Sequence, residues 1–206
     1  MRSSKLSPYI IESSKKLLTY MGIPYIEACG EGEAQASYMV QKGDVWATAS
    51  QDYDCLLFGS KRVIRNLAIN SNLGNLEYYE LKKVLKTLNI TREQLVEMGI
   101  LIGTDFNEGK KRVGAKTALK YAKNGSLDQI FKKFEKESEQ DLEAVKEIFL
   151  NPNIKKYDKI KWKKPQKEKI KEFLCEKHGF SENRVENASK KLKNLNSSQK
   201  SLEDWF

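Results

Sequence analysis

The residues of this chain best suited to chemistry are acidic and come in three clusters. Glu31 and Glu33 flank Gly32 in CGEGEAQ, Asp52 and Asp54 stand two apart in SQDYD, and Asp105 follows Gly103 and Thr104 in LIGTDFN. Each cluster falls where one predicted element ends or the next begins. Residues two apart in an extended chain project to the same side, so Asp52 and Asp54 can aim together. They follow an apolar strand, and open α/β sheets hold their ligands at the C-terminal ends of strands. Glu31 and Glu33 also admit a plainer reading, because acidic groups at a helix start gain from the dipole. Gathered carboxylates raise one another's pKa unless a cation neutralises them. Hard divalent ions such as Mg²⁺ take oxygen ligands and keep several waters. Two such ions about 4 Å apart activate a water and stabilise the leaving oxygen of a phosphodiester.

The elements that must carry these clusters are legible in outline. Ser7 as N-cap, Pro8 in the first turn and Gly22 past the end predict a helix, with Ile10, Ile11, Leu17, Leu18 and Met21 as its apolar stripe. A short strand is expected at 25–28, then a helix from the Gly30–Gly32 turn to about Gln41. A buried strand follows at 45–49, with others at 62–67 and, at an edge, 76–79. Strand, helix and strand with short connections imply a parallel sheet. From about residue 80 to 150 the pattern is helical: Thr91 and Gln94 form a capping box before an apolar helix at 95–102, and a further helix starts near Gly114. The Asn-Pro-Asn at 151–153 breaks the pattern.

Charge divides unevenly along the chain. Lys and Arg number 37 against 28 Asp and Glu, a net of +9, which favours a polyanionic partner. Residues 151–200 hold 15 basic against 6 acidic residues, so the excess lies almost wholly there. Tyr157 and Trp162 stand among its lysines, where they either stack on bases or pack in a core. From 190 to 200 a polar linker is expected. It leads to QKSLEDWF, in which Leu202, Trp205 and Phe206 fall at i, i+3 and i+4 and share one face of a helical turn, with Gln199 ahead of them.

Several classes drop out. Cys29, Cys55 and Cys175 are odd in number and far apart, which reads as reduced, packed thiols of an intracellular protein. A lone His178 among lysines excludes a histidine metal site or a Ser/His/Asp triad, and reads as a surface residue. No stretch approaches the ~20 apolar residues of a membrane span, and MRSSKLSPYI lacks a signal-peptide core.

GEGEAQASYM, SQDYDCLLFG and LIGTDFN, in this order and spacing, closely resemble the internal nuclease region of archaeal and eukaryotic flap endonucleases, the XPG/Rad2-type 5′ nucleases. The resemblance covers nearly the whole chain. It implies a PIN/5′-nuclease-like α/β fold, with a mostly parallel sheet flanked by helices. It makes Glu31, Glu33, Asp52, Asp54 and Asp105 catalytic ligands of two Mg²⁺ ions, for which Mn²⁺ can substitute. It also puts Glu31, Gly103 and Asp105 against DNA. FNEGKKRVGAKTALKYAKNG resembles the family's helix-turn-helix hairpin, which grips duplex DNA. Gly114 would allow its tight turn, the following helix start would offer amides to phosphate, and Lys110, Lys111, Arg112, Lys116 and Lys120 would supply charge. Family hairpins bind a monovalent cation through carbonyls, and Arg112 stands where many members have the first glycine of the turn. QKSLEDWF resembles the family's clamp-interaction box, which makes Gln199, Leu202, Trp205 and Phe206 contacts for the sliding clamp PCNA.

The implied organisation is a nuclease core at 1–103, a helix-hairpin-helix region at 104–150, a basic helical segment at 151–189, and a linker with the clamp box at 190–206. The implied activity is cleavage of branched duplex DNA at a 5′ flap, with 5′-3′ exonuclease action, by a monomer recruited to PCNA. An ending at the clamp box and a Lys/Glu-rich composition point to an archaeal-like chain. Family members carry an upstream segment with further catalytic aspartates and a helical arch. Nothing here matches it, so the chain reads as a fragment. Two alternatives stay open: a non-catalytic DNA- and clamp-binding module, and a gap or junction endonuclease of the wider family.

Overall fold

The side chain of Ser7 accepts a hydrogen bond from the Ile10 amide at 3.3 Å and starts α1, Pro8–Met21, which Gly22 ends. The computed structural model describes residues 7–67, 75–124 and 139–195. The chain divides into two compact units, residues 27–157 and residues 1–26 with 158–206.

Unit 27–157 contains α2 (Gly32–Lys42), β1 (Thr48–Ala49), α3 (Asp54–Leu57), β2 (Arg62–Arg65), β3 (Glu77–Glu80), α4 (Leu81–Leu88), α5 (Arg92–Ile102), α6 (Ala115–Asn124) and α7 (Glu139–Leu150). The strands lie in the order β1-β2-β3, with β1 parallel to β2 and β3 antiparallel to it. The α/β expectation holds, and the sheet among the described residues is small and mixed. Two strand expectations shrink. Residues 25–28 form no strand. The strand expected at 45–49 is confined to Thr48–Ala49, although Ser50 prolongs the pairing by donating to the Ile64 carbonyl at 3.1 Å. Upstream of it the Trp46 ring stacks on Tyr78 at 5.7 Å instead of continuing the ladder.

Helices supply most of the core. Phe58, Val96, Ile100, Leu101, Ala118 and Phe149 are buried together, and the Phe58 and Phe149 rings lie 4.9 Å apart. Both halves of the Thr91–Gln94 capping box form at the start of α5. Beside it Arg92 donates to the Leu57 carbonyl at 3.2 Å and the Phe149 carbonyl at 2.7 Å, tying the ends of α3 and α7 to α5. Gln35, buried on α2, exchanges two hydrogen bonds with the backbone of Lys155, and Tyr157 donates to Asp44 at 2.6 Å. Tyr157 is therefore a packing residue with Lys42 over its ring at 4.3 Å.

The other unit joins α1 to α8 (Lys167–Lys171), a π-helical turn at Glu172–Glu176 and α9 (Glu182–Leu195). The Lys163 amide donates to Gly22 and the Gln166 amide to Tyr20, at 2.9 and 2.8 Å. The backbones approach so closely that a Cβ at Gly22 would fall 2.0 Å from the Lys163 carbonyl oxygen. The stripe expected of α1 is not a core: the helix buries no residue fully, and Ile10 and Ile11 are exposed. His178 is half-buried, its ring 4.6 Å from that of Phe173. The basic segment is helical only from Lys167 onward, whereas Trp162 is exposed in irregular chain. The linker expected from 190 gives way to helix up to Leu195, as good helix formers at Lys190, Lys191 and Leu192 allow. Among the described residues no helix is long and apolar enough to cross a membrane.

Candidate functional site

Glu31 and Glu33 sit at the start of α2, as expected, but neither is spent on capping it. Glu31 occupies the N-cap position without a side-chain cap hydrogen bond, and its carboxylate is exposed. Glu33, in the first turn, is half-buried and receives a hydrogen bond from the Ser50 hydroxyl. The Cys55 thiol approaches the same carboxylate oxygen at 3.7 Å. Burial, and then the Glu33 charge, push that thiol up to about 12, so it is no nucleophile.

Asp52 and Asp54 are brought together differently from the alternation expected of a strand. The chain bends after Ser50, whose hydroxyl accepts the Asp52 amide at 3.1 Å, and Tyr53 already has helical angles. Asp54 is the first residue of α3. Such a serine turn competes locally with extended backbone, which is why the strand stops short of the aspartates.

Asp105 sits on a turn pinned from both sides. Thr104 and Asn107 exchange backbone hydrogen bonds at 2.9 and 3.2 Å. The Thr104 hydroxyl donates to Asn107 Oδ1 at 2.8 Å and accepts the Phe106 amide at 3.2 Å. Asn107 Nδ2 donates back to the Ile100 carbonyl at 2.8 Å, fastening the turn to α5.

Three of the five carboxylates, Asp52, Asp54 and Asp105, line one open cleft of about 690 Å³ together with Tyr53 and Gly103. Glu31 lines a second groove of about 390 Å³ with Phe58 and Phe106. The electrostatics reach across all five. Burial pushes Asp54 up to about 6, and the charges of Glu33, Asp105, Asp52 and Glu31, in that order, push the same way. The donors are all carboxylate oxygens, the set a hard divalent cation takes. Among the described residues no three His, Cys, Asp or Glu side chains are arranged to hold an ion by themselves.

The hairpin after α5 corrects the assignment of its turn glycine. Gly103 and Gly109 have φ of 116° and 70°, and the third left-handed residue is Arg112 at 68°. Gly114 is not left-handed, and an added Cβ there would meet nothing within 4 Å. At Gly109 the same atom would fall 2.3 Å from the Ile102 carbonyl oxygen, so this glycine allows the close return toward α5. The Lys110 amide then donates to Leu101 at 2.8 Å, and Val113 is buried in the core. Lys111, Arg112, Lys116 and Lys120 are exposed and Lys110 is half-buried. Gln199, Leu202, Trp205 and Phe206 lie outside the described residues. Cys55 is buried as expected, while Cys29 is exposed and packs in no core.

Ser50 is the site residue that spacing did not flag. The signal was present, since a Ser hydroxyl can accept a hydrogen bond from the backbone amide two residues on.

Known proteins supply the comparison. The XPG I-region matches residues 22–105, which include all five carboxylates. Flap endonuclease 1 of Methanobrevibacter smithii is 72% identical over 206 residues, all of this chain and 63% of that protein. Flap endonuclease-1 from Methanococcus jannaschii superposes with a TM-score of 0.84 at 42% identity, over 94% of this chain and 60% of that one. The catalytic core of Rad2 in complex with DNA substrate shares the fold, with a TM-score of 0.75 at 22% identity over 93% of this chain and 70% of that one. The chain thus spans 63% of the length of its curated relatives from Methanobrevibacter smithii and Methanothermobacter thermautotrophicus.

Proposed function

Because the whole of this chain is similar to archaeal flap endonucleases, we propose that it belongs to their family and carries much of a divalent-metal site for structure-specific cleavage of branched DNA at a 5′ flap. The observation that carries this reading is the surroundings of Asp54, where four further carboxylates act on one partly buried acid. Clustered carboxylates raise one another's pKa, and a bound divalent cation relieves that repulsion. Glu31, Glu33, Asp52, Asp54 and Asp105 would hold Mg²⁺, or Mn²⁺ in its place. When bound, such ions supply an activated water and stabilise the leaving oxygen of a phosphodiester.

The chain's own groups do the positioning. Ser50 fixes Glu33 and turns the chain at Asp52. The Thr104–Asn107 turn holds Asp105 at the cleft. Lys110, Lys111, Arg112, Lys116, Lys120 and the amides after Gly114 hold duplex phosphates without reading sequence. Gly103 leaves room for the DNA beside Asp105. A monovalent cation at the hairpin remains part of the proposal, because Arg112 adopts the left-handed conformation that a glycine would take. Gln199, Leu202, Trp205 and Phe206 would bind the PCNA clamp, a proposal that rests on their spacing and on the family resemblance.

Incubation with a 5′-labelled flap duplex, with Mg²⁺ and with EDTA, tests the activity in this chain and in the complete protein. Metal-dependent release of the flap by the complete protein is expected. A second reading, a non-catalytic DNA- and clamp-binding fragment, is favoured by the chain's spanning 63% of the length of its curated relatives. It predicts that the chain alone binds the flap duplex and leaves it intact.

A further inference from the structure

Arg65 lies outside the five carboxylates yet grips the segment that carries two of them. It ends β2, paired with Glu77 of β3, and its side chain is 17% exposed. Its Nε donates to the Gln51 carbonyl at 2.8 Å. One Nη donates to the Glu77 carboxylate at 2.7 Å and also to the Tyr53 hydroxyl. The guanidinium carbon stands 3.8 Å from the centre of the Tyr53 ring. Tyr79 completes the cluster: its hydroxyl donates to Glu77 at 3.0 Å, and its ring meets Tyr53 edge-on at 5.5 Å.

Gln51 and Tyr53 are the two neighbours of Asp52, and Tyr53 also precedes Asp54. A single side chain, braced on two paired strands, therefore holds both flanks of the aspartate turn. Lysine cannot replace it, since the grip uses several donors of one planar fork together with a stacked face. The aspartates sit at the rim of the cleft, where Tyr53 is exposed to solvent and is held by Arg65 together with Tyr79, whose hydroxyl lies 3.3 Å from its own. We infer that Arg65 is a positioning residue for the metal-dependent reaction. It keeps the Asp52–Asp54 turn in the one conformation that presents both carboxylates to the cleft, and touches neither substrate nor ion. The catalytic half of this inference rests on the proposed function, whereas the clamp on the turn does not.

The test uses the complete protein as wild type, Arg65→Ala and Arg65→Lys. Amide hydrogen exchange of residues 50–54 reads the clamp directly. It should quicken by about tenfold or more in both variants, while α5 stays as protected as in the wild type. Flap-cleavage kinetics at saturating Mg²⁺ read the consequence. A displacement of about 1 Å at reacting groups costs on the order of 10²-fold, so kcat should fall by about that factor with KM within about twofold. Arg65→Lys keeps the charge and the fold and should share the loss. Unchanged exchange at 50–54 overturns the inference, and so does a raised KM at constant kcat, which would make Arg65 a DNA contact. A wild-type protein that fails to cut would defeat the proposed function alone, and exchange would still decide the clamp.

Discussion

The hydroxyl of Ser50 donates a hydrogen bond to the carboxylate of Glu33. The same oxygen accepts the Asp52 amide at 3.1 Å, so one small side chain couples the first two acidic clusters. Hydrogen bonds to charged groups contribute about 1.5–3 kcal/mol when buried and less when water can compete. Ser50→Ala is therefore expected to cost about 1–2 kcal/mol. Urea denaturation should show a lower midpoint at unchanged slope. An unshifted midpoint would mean that Glu33 needs no such partner.

Asp54 makes stability depend on pH with a definite sign. Its folded pKa is raised from 3.8 to about 6, so within that window the folded chain holds a proton that the unfolded chain has released. Unfolding then releases protons, and the metal-free protein loses stability as pH rises from near 4 to about 6, with the full penalty present above. Asp54→Asn removes this term. In EDTA its Tm should exceed that of the wild type by a margin that widens across the window and then levels. A margin independent of pH would contradict the account.

The hairpin prediction contrasts two glycines. Gly109→Ala combines a left-handed backbone with an atom 2.3 Å from the Ile102 oxygen, and should cost about 2 kcal/mol or more. Gly114→Ala has neither problem and should stay within about 0.5 kcal/mol. Thermal unfolding of both variants decides which glycine makes the turn.

This contrast shows where reading from residues reached its limit. Caps were legible because they are local: Ser7, Gly22 and the Thr91–Gln94 box stand where the sequence puts them. The acidic clusters were legible as types and spacing, and the other four carboxylates do act on Asp54. The route by which Asp52 and Asp54 meet was not, because a serine turn and a strand compete for the same few residues and only the three-dimensional partner Glu33 decides. Likewise the strand expected at 25–28 depends on a neighbour that local pattern cannot supply. The role of Gly109 rests on a carbonyl of Ile102, seven residues back across the hairpin, which spacing alone does not reveal. Arg65 was invisible for the same reason, since its meaning lies in the three residues it touches.

Phosphate contacts can be counted by salt. Lys116 and Lys120 are exposed one turn apart on α6, and each is expected to hold one duplex phosphate. Lys116→Ala with Lys120→Ala should weaken binding equally across DNA sequences. It should also flatten the slope of log K against log[salt] by roughly 0.9 for each contact. An unchanged slope would return both lysines to a solvated helix face.

The central claim, that these carboxylates form a divalent-metal centre, is tested most directly by Mn²⁺ binding read by electron paramagnetic resonance. The complete protein near neutral pH should bind Mn²⁺ with saturation, and Mg²⁺ should displace it. The double variant Asp54→Asn with Asp105→Asn should lose most of that binding while keeping its fold and its affinity for duplex DNA. Absence of saturable Mn²⁺ binding in the wild type, or undiminished binding in the double variant, would contradict the account.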